Sequence, residues 1–70
     1  GSEMGIRDRY ISGFIGKTLE FIAEEREGEY ITGYTGNYVK IYAPADIAAG
    51  KKYKVELTRI YKDGALAKLV

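Results

Sequence analysis

Thr18-Leu19-Glu20-Phe21-Ile22-Ala23-Glu24-Glu25-Arg26-Glu27-Gly28-Glu29-Tyr30-Ile31-Thr32-Gly33-Tyr34 reads as two strands joined by a short turn. Up to Glu25 the residues alternate, with Leu19, Phe21 and Ala23 on one face and Glu20, Ile22 and Glu24 on the other. A period of two is the mark of a strand that buries one face. Arg26-Glu27-Gly28 is the turn, where Gly28 supplies the positive φ that tight hairpins require. Glu29 to Tyr34 pairs back, setting Tyr30, Thr32 and Tyr34 opposite Glu29, Ile31 and Gly33. Gly33 inside this run predicts a bulge or sharp coil, as a small barrel needs at its corners.

Downstream of this hairpin, Thr35-Gly36-Asn37 closes a second turn and Tyr38 to Ala43 predicts a third strand. One face of that strand carries Tyr38, Lys40 and Tyr42, and the other carries Val39 and Ile41. Pro44 to Gly50 is a longer connection, either a single helical turn or an ordered loop. Lys51 to Tyr61 holds Tyr53, Val55 and Leu57 in phase, but Ile60 breaks the alternation. A bulge near Thr58 restores it, turning Ile60 inward and Arg59 and Tyr61 outward. Lys62-Asp63-Gly64 is a turn signal, and Ala65 to Val70 a fifth strand. Five short strands with evenly spaced turns predict an all-β fold, a small five-stranded antiparallel OB-like barrel, with an SH3-like barrel as second choice. Closure frees so small a β domain from exposed edges.

Upstream, Ile6, Tyr10 and Ile11 are spaced for one helical face, although Gly5 and Gly13 limit it. Residues 3–13 are therefore expected to form a linker or short helix remnant from an upstream domain. Gly1-Ser2 reads as a cloning scar, and residues 14–70 as the barrel.

Seventy residues suit one domain near the lower limit for a self-sufficient core. Cysteine and histidine are both absent, which excludes disulfides and zinc-finger-type sites. Nine glycines and seven tyrosines point away from a helical bundle and toward twisted, turn-rich β structure. No apolar run is long enough to span a bilayer and no signal-peptide pattern is present. A cytoplasmic monomer without membrane contact is expected.

Catalysis and metal binding find no support in the residues. Nucleophile–base pairs of the common kinds need His or Cys. Glu24, Glu25, Glu27 and Glu29 crowd one hairpin turn, where exposure leaves nothing to raise a carboxyl pKa. Gly33 and Gly36 lack the lysine and hydroxyl of a P-loop. The aromatic and basic residues offer more. Tyr34, Asn37, Tyr38, Lys40 and Tyr42, with Arg59 and Lys62 as a second patch, are the candidate nucleic-acid contacts. Phenol rings stack on bases and cations meet phosphates. Each has a plainer reading as well: tyrosine favours strands for packing, and Asn37 beside Gly36 suits a turn. Lys51, Lys52 and Lys54 read as a solvated strand edge. The formal net charge of +1 argues little for a polyanionic partner.

Phe14-Ile15-Gly16-Lys17-Thr18-Leu19-Glu20, then Glu24-Glu25, then Gly33-Tyr34-Thr35-Gly36-Asn37-Tyr38-Val39-Lys40-Ile41 together resemble the TRAM domain. Val55-Glu56-Leu57-Thr58 and Gly64-Ala65-Leu66-Ala67 are similar to that domain's last two strands, and the likeness covers about residues 10–70. The form resembles the C-terminal domain of radical-SAM methylthiotransferases, the MiaB/MtaB/RimO group, with the MtaB-like branch favoured by Tyr34-Thr35-Gly36-Asn37-Tyr38. The resemblance implies an OB-like barrel that binds RNA, here the anticodon stem-loop of tRNA, and presents it to its own upstream radical-SAM domain. That upstream domain would carry iron–sulfur clusters and S-adenosylmethionine and insert a methylthio group on a modified adenosine next to the anticodon. The present chain would then carry no catalytic residue and no cofactor of its own. In the RimO-like alternative the same barrel docks a ribosomal protein.

Overall fold

The structure, a computed structural model, describes residues 9–70. The expected scar and most of the expected linker, residues 1–8, lie outside the described residues. Five strands follow in chain order: β1 (Thr18–Glu27), β2 (Tyr30–Thr35), β3 (Lys40–Pro44), β4 (Lys52–Tyr61) and β5 (Gly64–Leu69). They close into a barrel in the order β1-β2-β3-β5-β4, with β4 returning to β1. The small OB-like β-barrel expected from the sequence is thus the fold, with one refinement. Four seams are antiparallel, whereas β3 and β5 run parallel, paired at Ile41–Ala65 and Tyr42–Leu66.

Alternation decides what points inward. Phe21 and Ala23 of β1, Ile31 of β2, Ile41 and Ala43 of β3, Val55 and Leu57 of β4, and Ala65 and Ala67 of β5 form one buried cluster. Burying each large aliphatic or aromatic side chain contributes roughly 1.5–3 kcal/mol relative to leaving it in water. The anticipated irregularity in β4 is present: the register against β5 shifts between Leu57 and Arg59, and Ile60 packs on the core. Residues 45–50 form an ordered loop of turns without a helical turn.

Two glycines permit close strand approaches. A Cβ on Gly33 would lie 1.8 Å from the Ile22 carbonyl oxygen, and the bulge anticipated at Gly33 sits across from it, between Ala23 and Glu25 of β1. A Cβ on Gly64 would lie 2.2 Å from the Lys40 carbonyl oxygen, so only glycine lets β5 start beside β3. The positive φ of the last hairpin falls instead on Lys62, at 50°.

A helical turn over residues 9–12 precedes the barrel, and its Ile11, assigned by sequence to the linker, is only 3% exposed within the core cluster. Gly16 N–H then donates to the Leu57 carbonyl, and Leu57 N–H to the Lys17 carbonyl, which guides the chain into β1. No buried side-chain nitrogen or oxygen among the described residues lacks a hydrogen-bond partner, as native interiors require.

Candidate nucleic-acid interface

Register, not sequence proximity, assembles an exposed row on the outer wall. Ile22 of β1 lies opposite both Lys52 of β4 and Tyr34 of β2, and Tyr34 lies opposite Lys40 of β3. The outer wall therefore carries the row Lys52–Ile22–Tyr34–Lys40. Ile22 and Tyr34 are 46% and 49% exposed, unusual for large apolar groups placed side by side. An open groove of about 420 Å³ lies on the Lys52–Ile22–Tyr34 part of this row, and Glu20 and Asn37 also line it. Across Tyr34 a second hollow of about 240 Å³ is bounded by Tyr10, Tyr38, Lys40 and Asp63.

The Thr35 side chain braces the loop between β2 and β3 from within. Thr35 Oγ1 accepts the backbone N–H groups of Asn37 (3.1 Å) and Val39 (3.2 Å), and the Thr35 N–H donates to the Val39 carbonyl. This compact loop turns Val39 inward while forcing Tyr38 to a φ of 64°. A left-handed conformation costs a bulky residue about 1–2 kcal/mol. Tyr38 is nevertheless 86% exposed, so no buried contact of its ring offsets that cost. Tyr38 was expected to begin the third strand; it stands instead on the loop, ahead of β3. Tyr10 reaches the same loop, and its hydroxyl donates to the Asn37 carbonyl at 2.8 Å.

Lys40 and Tyr42 are engaged elsewhere. Lys40 Nζ lies 3.2 Å from Glu27 Oε2, 3.7 Å from Asp63 Oδ2 and 5.2 Å from the Tyr42 ring centroid. The Tyr42 hydroxyl donates to Asp63 Oδ1 at 2.5 Å. Burial alone would lower the Lys40 pKa, but the Glu27 hydrogen bond, Tyr42 and Asp63 outweigh it and hold the ammonium well above the ordinary lysine range. Burial, then the bond to Asp63, pushes the Tyr42 phenol up, while that same hydrogen bond leads in holding the Asp63 carboxyl down. Tyr42 projects outward as expected, yet it is 3% exposed, because Tyr30 and Tyr61 cover it at centroid distances of 6.1 and 4.9 Å. It presents no open face to a base. Lys40 has two carboxylates in place of a phosphate.

Lys62 Nζ sits 5.4 Å over the Tyr61 ring, beside a separate hollow lined by Tyr30, Tyr42 and Tyr61. Arg59 is exposed on β4 after the bulge and lines none of these hollows. Of the seven residues expected to contact nucleic acid, Tyr34, Asn37 and Tyr38 thus come together. Lys40 and Tyr42 are adjacent but occupied, and Arg59 and Lys62 stand apart. Ile22, Glu20, Lys52 and Tyr10 were missed. The lysine cluster around Lys52 was visible in the sequence, but only the pairing of β1 with β4 sets it beside Ile22. Among the described residues no group of carboxylates converges as a metal site. No family model and no curated protein matches this chain.

Proposed function

We propose that this barrel binds single-stranded or looped RNA on the Tyr34–Tyr38 surface. In the setting implied by the TRAM resemblance it is the accessory RNA-binding domain of a radical-SAM tRNA methylthiotransferase, holding an anticodon stem-loop for chemistry done elsewhere. The observation that carries the reading is the pair of open phenol rings, Tyr34 and Tyr38, flanking the loop between two strands of an OB-like barrel. The face of strands 2 and 3, to which Tyr34 belongs, is where such barrels hold oligonucleotides. The strain at Tyr38 supports it too, since backbone strain retained for an exposed side chain points to use by a ligand.

Each stacked base contributes roughly 1–3 kcal/mol, so two rings give a modest site. Lys52 is the cation lining the groove, with no carboxylate partner among the described residues. One phosphate contact gives a salt slope of about −0.7 on a log–log plot for a single strand. The result is weak, mildly salt-dependent binding, suited to a module that adds avidity to a larger protein.

Fluorescence titration with anticodon stem-loop RNA at two salt concentrations tests the reading. Tyr34→Ala and Tyr38→Ala are each expected to weaken binding roughly tenfold, within the range for loss of one stacking partner. Unchanged affinity in the double variant overturns it. A second reading, docking of a protein such as a ribosomal substrate, is favoured by exposed Ile22 and the net charge of +1. It predicts no RNA binding and a complex that is lost on Ile22→Asp.

A further inference from the structure

We infer that the groove beside Tyr34 selects guanine, with Glu20 as the specificity-determining residue. This rests on the RNA reading above and adds to it which base is read. Glu20 and Ile22 share the outer face of β1 two positions apart. Since Phe21 pairs with Thr35 and Ile22 with Tyr34, Glu20 comes to the level of the Gly36–Asn37 turn. Glu20, Asn37 and Lys52 therefore line one groove with the exposed apolar groups of Ile22 and Tyr34.

The chemistry of this lining is selective. Among the described residues Glu20 makes no salt bridge or side-chain hydrogen bond, and neither does Lys52. The Asn37 side-chain amide is likewise free, because the hydrogen bonds at Asn37 use its backbone N–H and carbonyl. A base stacked on Tyr34 thus meets a carboxylate that only accepts, and an amide that donates and accepts. Register sets Lys54 opposite Glu20 and Lys52 opposite Ile22, so a phosphate is drawn to the β4 edge of the groove and away from the Glu20 carboxylate.

Guanine matches this arrangement on its Watson–Crick edge. Its N1–H and N2–H₂ donors lie side by side, spaced for the two oxygens of one carboxylate, and its neighbouring O6 accepts from an amide N–H such as that of Asn37. Cytosine offers the carboxylate one donor group, N4–H₂. Adenine offers N6–H₂ beside an N1 acceptor that repels the second oxygen. Uracil places a lone N3–H between two carbonyls. Glu20 therefore penalises uracil and adenine while it favours guanine, and Lys52 takes the phosphate.

The test uses the full 70-residue chain and four ribo-hexamers: five uridines with guanosine, inosine, adenosine or uridine at the third position. Binding is followed by tyrosine fluorescence, and by amide shifts of Glu20, Tyr34 and Asn37. The guanosine hexamer is expected to bind roughly tenfold tighter than the uridine hexamer, in line with one bidentate base contact. Inosine, which lacks the 2-amino group, falls between them. Glu20→Gln is expected to collapse the guanosine-to-uridine ratio toward one while uridine affinity rises, because a carboxylate beside phosphates is gone. A merely structural role for Glu20 would move all four hexamers in the same direction.

Equal binding of all four hexamers, or a guanosine preference that survives Glu20→Gln, overturns the assignment and leaves the stacking surface standing. No binding of any hexamer at low salt overturns both.

Discussion

The Tyr10 hydroxyl donates to the backbone carbonyl of Asn37 at 2.8 Å, tying the helical turn ahead of the barrel to the loop that carries Tyr38. The Tyr10 ring also meets Phe14 edge-on at 5.3 Å, so the hydroxyl and the ring act separately. Tyr10→Phe deletes only the hydroxyl. At a half-exposed site the loss is expected to be about 0.5 kcal/mol, the low end for a hydrogen bond. For a domain of this size that lowers the melting temperature by about 2–4 °C. Differential scanning calorimetry, with amide relaxation at Tyr38, measures both the loss and the loosened loop.

Tyr38→Gly separates stability from binding. Glycine occupies a φ of 64° without the Cβ clash, so the fold is expected to be unchanged or stabilised by up to about 1 kcal/mol. RNA affinity is expected to fall by roughly 1–3 kcal/mol with the stacking ring. Urea denaturation beside an RNA titration distinguishes this from a purely structural Tyr38, whose removal would leave affinity intact.

Gly33→Ala acts on packing. The new methyl would meet the Ile22 carbonyl oxygen at 1.8 Å and the Phe21 ring at 2.9 Å, one of them fixed backbone and the other core. Forcing β1 from β2 there is expected to cost roughly 2–4 kcal/mol, a large share of a small domain's stability. Urea midpoints with unchanged m-value are the readout; a loss under about 0.5 kcal/mol, the surface-substitution scale, refutes the close approach.

Stability should bend at both ends of the pH scale, through the ion pairs and hydrogen bonds joining Glu27, Lys40, Asp63 and Tyr42 and through the burial of the Tyr42 phenol. The Asp63 carboxyl is held down in the folded state, so its contribution is present above the unfolded value of about 3.9 and is lost as pH falls through the lower folded value. Lys40 and Tyr42 are raised, so theirs is present below about 10 and lost as pH rises beyond it. Asp63→Asn keeps an acceptor for Tyr42 but is expected to flatten the acid limb. Melting temperatures from pH 2 to 6 for both proteins check it.

Local periodicity made much of this barrel legible. The β1 alternation through Phe21 and Ala23, and the slip at Thr58 that turns Ile60 inward, follow from side-chain period alone. What stayed hidden depended on distant partners. Nothing near Lys40 announces that Glu27, at the end of β1, and Asp63, from the last hairpin turn, will claim its ammonium. Nothing near Tyr42 announces that Tyr30 and Tyr61 will cover its ring. Tyr38 fits the alternation of a strand, and the hydrogen bonds that close the loop on Thr35, two to its Oγ1 and one from the Tyr38 N–H to its carbonyl, turn it into a loop residue. Tyr34 and Tyr38 were therefore readable and Tyr42 and Tyr10 were not, while the groove holds Lys52 in place of Lys40, Arg59 and Lys62.

The parallel seam has a consequence for how the molecule breathes. Between Ile41–Ala65 and Tyr42–Leu66 it is a short zip in an otherwise longer-stitched cylinder. Just beside it, Asp63 reaches from the last hairpin to the Tyr42 hydroxyl and the Lys40 ammonium, which act as a clasp across the join. Sub-global opening should begin there, so the amides of Ile41, Ala65 and Leu66 are expected to exchange with deuterium before those of Phe21 and Val55. A lysine that looks from the sequence like a hand held out to a phosphate is, in the folded barrel, the latch on its shortest seam.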